Sequence, residues 1–186
     1  MDLVGGILYP DYVRMEPRPP RPGYAALRRY RRSRPGSDYF LTINLATRGR
    51  GLEIPALTNA VINRWEQLDA QGYWRVRTGT VMPDHLHLLI RLGDIAPLDE
   101  CLKRFKGRLQ SALRWHGLKW QEGYYDHEVR AGDDPLPIFL YIYLNPYRAE
   151  LVPDTQTWPG YRCRPEDWDW FGALTKESAP QPEWLR

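Results

Sequence analysis

The chain has 186 residues, enough for one ordinary domain and a short extension, and 42% hydrophobic content with eight Trp and twelve Tyr allows a real core. Its formal net charge of +3, from 26 basic and 23 acidic residues, is too mild to declare a partner. No apolar stretch approaches the roughly eighteen residues a membrane helix needs; the first residues lack a signal peptide's basic-then-apolar order, and Cys101 and Cys163 have no metal-type spacing. These features predict a cytoplasmic protein with free thiols and no membrane partner.

Residues 1–35 hold eight Arg, among them Arg28, Arg29, Arg31 and Arg32, against only Asp2, Asp11 and Glu16. EPRPPRPG at 16–23 is too proline-rich for helix or strand, so this reads as an extended basic arm. Such an arm either neutralises phosphates or stays a solvated tail. After Gly36 the pattern becomes regular. YFLTINLA at 39–46 alternates as a strand. In IPALTNAVINRWEQLDAQG, Leu57, Val61, Trp65 and Leu68 recur at helical spacing, and Gly72 supplies the stop. WRVRTGTV at 74–81 and HLHLLIRL at 85–92 form two strands of a hairpin, separated by a Pro83-Asp84 turn.

The clearest helix is 97–116, where Leu98, Leu102, Phe105, Leu109, Ala112 and Leu113 can share one face. That face leaves Lys103, Lys106, Arg108 and Arg114 largely exposed. An extended run follows at about 119–130, then a short aromatic-rich helix at 134–145, and the chain from Val152 reads as irregular. Strand, helix, hairpin, helix, strand and helix predict an α+β fold, a ferredoxin-like sandwich with a central antiparallel sheet and helices packed on it. Its domain is expected at 36–152, between the arm at 1–35 and an irregular tail at 153–186. Neither GxGxxG nor GxxxxGK occurs, which removes support for dinucleotide binding and P-loop hydrolysis.

Two of the four histidines, His85 and His87, flank Leu86 inside a predicted strand. Period-two alternation puts both imidazoles on one face, where they can reach one divalent cation or sit as satisfied histidines in a half-buried strand. Tyr141, Tyr143 and Tyr147 lie beside Asn145. On a helix Tyr141 and Asn145 share a face and Tyr143 points largely away. Pro146 opposes that reading, because Asn145 can instead cap a new turn. The tyrosines are either chemistry or core. Lys103, Arg104, Lys106 and Arg108 would hold a nucleic-acid backbone or form a solvated face. Trp115, Trp120 and Tyr124 would stack on bases or pack on the sheet.

Five ordered segments carry a family resemblance: RRSRPGSDYFLTINLATR (31–48), VMPDHLHLLIRL with LKRFKGRL, WQEGYYDHEVR, YIYLNPYRAELV and WPGYR (158–162). Over about residues 31–162 the chain resembles the small single-tyrosine transposases with a histidine–hydrophobic–histidine motif, in particular the REP-associated tyrosine transposases. The resemblance implies that His85 and His87 ligate magnesium or manganese, that Asn145 supplies a third ligand, and that Tyr141 is the nucleophile, with Tyr143 the second choice. It also implies a single-stranded or hairpin DNA substrate, cut through a 5′-phosphotyrosine and rejoined. Two other functions stay open: a catalytically silent DNA- or RNA-binding protein, and a metal-dependent nuclease that uses water. Monomer and homodimer are equally compatible with the family.

Overall fold

The structure, a computed structural model, describes residues 33–46 and 50–176. The basic arm, with Arg28, Arg29, Arg31 and Arg32, lies outside the described residues. The elements run β1 (Asp38–Asn44), α1 (Pro55–Ala70), β2 (Trp74–Val81), β3 (His85–Leu92), α2 (Leu98–Trp115), β4 (Tyr125–Val129), α3 (Leu136–Arg148), β5 (Tyr161–Cys163) and α4 (Pro165–Lys176). All strand pairs are antiparallel, in the order β4-β1-β3-β2-β5. The expected α+β sandwich is present, with β4-β1-β3-β2 the ferredoxin-like arrangement and β5 added at its edge.

Local chemistry accounts for the helix ends. Leu57, Val61, Trp65 and Leu68 all face inward on α1. Gly72 ends the helix with φ of 79°, and the Gly72 and Tyr73 N–H groups donate to the carbonyls of Asp69 and Leu68. That is a Schellman closure, for which glycine is suited because it has no Cβ to clash. The same closure ends α3, but there the left-handed position is Glu150, with φ of 54°. At the start of α2, Ser33 Oγ accepts from the Leu98 N–H at 3.0 Å and caps the helix from 65 residues away.

The sheet separates two cores. Leu41, Ile43, Leu86, Leu88 and Ile90 pack under α1 and α2 with Trp65 and Phe105. Phe40 and Leu89 face the other way, toward Phe139, Ile142 and Tyr143 of α3 and Phe171 of α4. In β2 the register shifts between Val76 and Thr78. This bulge at Arg77 changes which alternate residues face which side: Trp74 and Val76 join the α1/α2 core, while Thr78 and Thr80 pair with Leu89 and His87.

Two expectations need correction. Within the described residues the chain after 152 is not all irregular, since Tyr161–Cys163 pairs with β2 and α4 follows it. Phe171 is fully buried there, and Arg77 joins Asp38 of β1 to Asp167 of α4 through its guanidinium. Nor does Pro146 end the third helix. It lies inside a continuous α3 that runs to Arg148, so Asn145 caps no new turn.

Candidate active site

The hairpin turn at Pro83-Asp84 sets the position of the site. Leu45 N–H donates to the Asp84 carbonyl, Gly51 and Leu52 both donate to that of Pro83, and Met82 donates to that of His85. These bonds fix the start of β3 against the end of β1. From there His85 and His87 project toward α3, while Leu86 and Leu88 enter the α1/α2 core, as the alternation requires.

The imidazoles are oriented from outside. His85 Nδ1 lies 2.6 Å from Asp84 Oδ1, and His87 Nδ1 lies 2.9 Å from Thr42 Oγ1 on β1. The remaining nitrogens meet, Nε2 to Nε2, at 3.0 Å. Two bare lone pairs so close repel, so a proton or a cation belongs between them. Burial, then the neighbouring His85, hold His87 well below the usual imidazole pKa, which keeps it neutral and able to ligate. The hydrogen bond with His85 chiefly lowers Asp84, leaving a carboxylate that accepts.

The donor set fits a divalent ion. Two imidazole nitrogens 3.0 Å apart on one strand face are close enough to reach a single ion. Among the described residues no three His, Cys, Asp or Glu side chains converge on a metal position. A third protein ligand would therefore be of another kind, such as an amide oxygen.

Helix α3 brings Tyr141 to the pair. Its phenolic oxygen is 3.5 Å from His87 Nε2, its ring meets that of His87 edge-on at 5.0 Å, and Phe40 contacts both rings. Asn145 is half-buried one helical turn beyond Tyr141 on the same face. Tyr143 points elsewhere. It is 9% exposed among Tyr147, Tyr161, Trp168 and Phe171, and burial, followed by Tyr147, pushes its phenol up to about 12.

The basic residues of α2 are not gathered at this site. Their helix covers the opposite face of the sheet. Lys106 is engaged by the carbonyls of Gln121 and Gly123. Arg104 pairs with Glu100 at 3.0 Å and lies over the Tyr73 ring, while Lys103 and Arg108 are exposed. Trp115 is 87% exposed, whereas Trp120 and Tyr124 pack against the α1/α2 core. His127 stands opposite Phe40 on β4, and His116 is an exposed residue at the end of α2. Sequence reasoning missed Thr42, Asp84 and Phe40 as site residues. Asp84 had a signal, its adjacency to His85, but Thr42 and Phe40 reach His87 only through strand register.

No protein-family model matches the chain, and no curated protein does. Among solved structures it is similar to a REP-associated tyrosine transposase bound to a REP hairpin, at 22% identity and a TM-score of 0.59, over 71% of this chain and 80% of that one. It is also similar to a putative transposase from Deinococcus radiodurans R1, at 19% identity and a TM-score of 0.44, over 58% of this chain and 88% of that one. The chain thus shares the fold of a REP-associated tyrosine transposase.

Proposed function

We propose that the chain is a REP-associated tyrosine transposase that cleaves and rejoins single-stranded DNA at hairpin-forming elements. One observation carries the reading: the Tyr141 phenol lies 3.5 Å from an imidazole nitrogen that is itself 3.0 Å from a second imidazole nitrogen. The similar fold of a transposase bound to a hairpin supports the substrate class.

In this reading His85, His87 and the Asn145 amide oxygen hold a magnesium or manganese ion, which would polarise a non-bridging oxygen of the scissile phosphate. The nitrogen donors favour manganese over the harder magnesium. Tyr141 Oη attacks phosphorus and its proton leaves to solvent, while the bond from phosphorus to the 3′-oxygen breaks and that oxygen takes a proton from solvent. The products are a 5′-phosphotyrosine and a free 3′-hydroxyl. Since the phosphotyrosine keeps the phosphodiester's bond energy, the 3′-hydroxyl of another strand can attack it and return the phenol, with no nucleotide hydrolysed. Phe40 restrains the rings of both Tyr141 and His87, which limits the motion needed to reach an in-line geometry. Exposed Lys103 and Arg108, and the arm with Arg28, Arg29, Arg31 and Arg32, would hold flanking backbone away from the reacting phosphate.

The deciding assay incubates the protein with end-labelled, hairpin-flanked single-stranded DNA and Mg2+ or Mn2+, then runs a denaturing protein gel. A labelled adduct lost in Tyr141→Phe is expected. Cleavage that survives this substitution would make the protein a hydrolytic nuclease, and binding without cleavage under either metal would make it a silent binder. An adduct lost only in Tyr143→Phe would overturn the choice of nucleophile.

A further inference from the structure

His87 sits in a row of side chains that crosses three strands. Thr42 of β1 and Thr80 of β2 are its cross-strand partners on either side, and both threonines are buried. Their hydroxyls meet different fates. Thr42 Oγ1 is 2.9 Å from His87 Nδ1, whereas Thr80 Oγ1 is buried with no hydrogen-bond partner among the described residues.

The ring of His87 is held in two ways. It stacks on Phe40 with centroids 5.4 Å apart and planes 20° from parallel. Stacking fixes the plane but is blind to a half-turn of the ring within it, which would exchange the edges that face the strand and the helix. Only a directional bond distinguishes the two settings. We propose that Thr42 is the positioning residue for His87, accepting a hydrogen bond from Nδ1–H and thereby presenting a bare Nε2 toward His85 and the Tyr141 phenol. The proposal rests on the cation reading of the histidine pair.

A neutral imidazole carries one N–H, so a hydrogen on Nδ1 leaves Nε2 free to ligate. If the Thr42 hydroxyl donated instead, the ring hydrogen would sit on Nε2 and point at His85, where a ligand lone pair is required. Asp84 performs the same task for His85, since a carboxylate can only accept and lies 2.6 Å from Nδ1. The two ligands are therefore oriented from different places, one by its neighbour in the turn and one by the adjacent strand.

Thr80 supplies the control. Thr42→Val and Thr80→Val delete the same atom from the two flanks of His87, yet only the first removes a hydrogen bond to it. In the Mg2+-loaded, full-length protein with 15N-labelled histidine, long-range 1H–15N correlations should find a hydrogen-bonded His87 Nδ1–H in the wild type, Thr42→Ser and Thr80→Val. In Thr42→Val that hydrogen bond should be lost. Titration with Mn2+ should give an affinity about 10–100-fold weaker for Thr42→Val, restored by Thr42→Ser and unchanged in Thr80→Val. An unchanged Nδ1–H signal in Thr42→Val, or equal behaviour of the two valine variants, would overturn the proposal. If the wild type takes up neither ion, the cation reading fails, and the metal-free spectra still decide whether Thr42 holds the ring, because only Thr42→Val should then shift the His87 Nδ1 resonance.

Discussion

At the level of single residues, His85 and His87 owe their settings to two different segments, Asp84 in the turn and Thr42 on β1. The pairing of His85 with His87 could be read from alternation alone, because a strand repeats every two residues and the structure keeps both imidazoles on the α3 face. Tyr141 could not be chosen from twelve tyrosines without its spacing to Asn145 and the family resemblance; the burial of Tyr143 in an aromatic cluster adds a physical reason that no spacing contains. Asp84 is the residue at this scale whose replacement is most informative. Its side chain is nearly half exposed and bonds to His85, so Asp84→Asn should leave the fold intact while weakening Mn2+ binding on the order of tenfold, because a neutral amide orients His85 less firmly. Equilibrium titration of Mn2+ against the wild type would measure it, and unchanged affinity would show that the turn does not organise the pair.

Among the elements, helices with regular apolar spacing were the most legible, and α1 and α2 fall within a few residues of their expected bounds. The bulge at Arg77 was not. WRVRTGTV alternates acceptably from end to end, and only its pairing with β3 reveals the extra residue that turns Thr78 and Thr80 toward α3. β5 and α4 were missed for a related reason. A three-residue strand carries too few positions to display a period, and its partner lies more than eighty residues earlier in the chain. Lys106 was read as an exposed cation because helical spacing places it beside the polar face, but the loop after α2 folds back and presents two carbonyls to it. The end of α3 offers a test of backbone strain. Glu150 holds a left-handed φ of 54° that suits glycine, and its side chain is exposed. Glu150→Gly should therefore stabilise the protein by about 1 kcal/mol, read as a raised denaturation midpoint at constant slope; a lowered midpoint would mean that the glutamate contributes more than the backbone costs.

For the molecule as a whole, the sheet acts as a partition: one helix layer completes the core, and the other brings in the chemistry. Among the described residues no helix is long and apolar enough to cross a membrane. Both faces are held partly by acids that burial keeps protonated. Burial is the leading cause that raises the Cys101 and Cys163 thiols to about 11 and Tyr143 to about 12. A group whose folded pKa lies above its unfolded value binds its proton more tightly when folded, so its contribution is complete below the unfolded pKa and disappears as pH rises through the folded one. Stability should therefore lose these contributions from about pH 9, the usual thiol value, to pH 11 and beyond, with the tyrosine last. Urea denaturation at neutral pH and at successive alkaline steps would follow the loss, and a stability that held through pH 11 would contradict the burial of these groups.

Gly107 gives the partition a practical use. It lies mid-helix on the exposed side of α2, and a Cβ there would meet nothing within 4 Å. The two native cysteines hold their thiols protonated at neutral pH and should react slowly with maleimides. A cysteine introduced at Gly107 would accept a fluorophore behind the sheet. Set beside Arg108 and one turn from Lys103, the label would leave the histidine pair clear and report on any strand held along this helix.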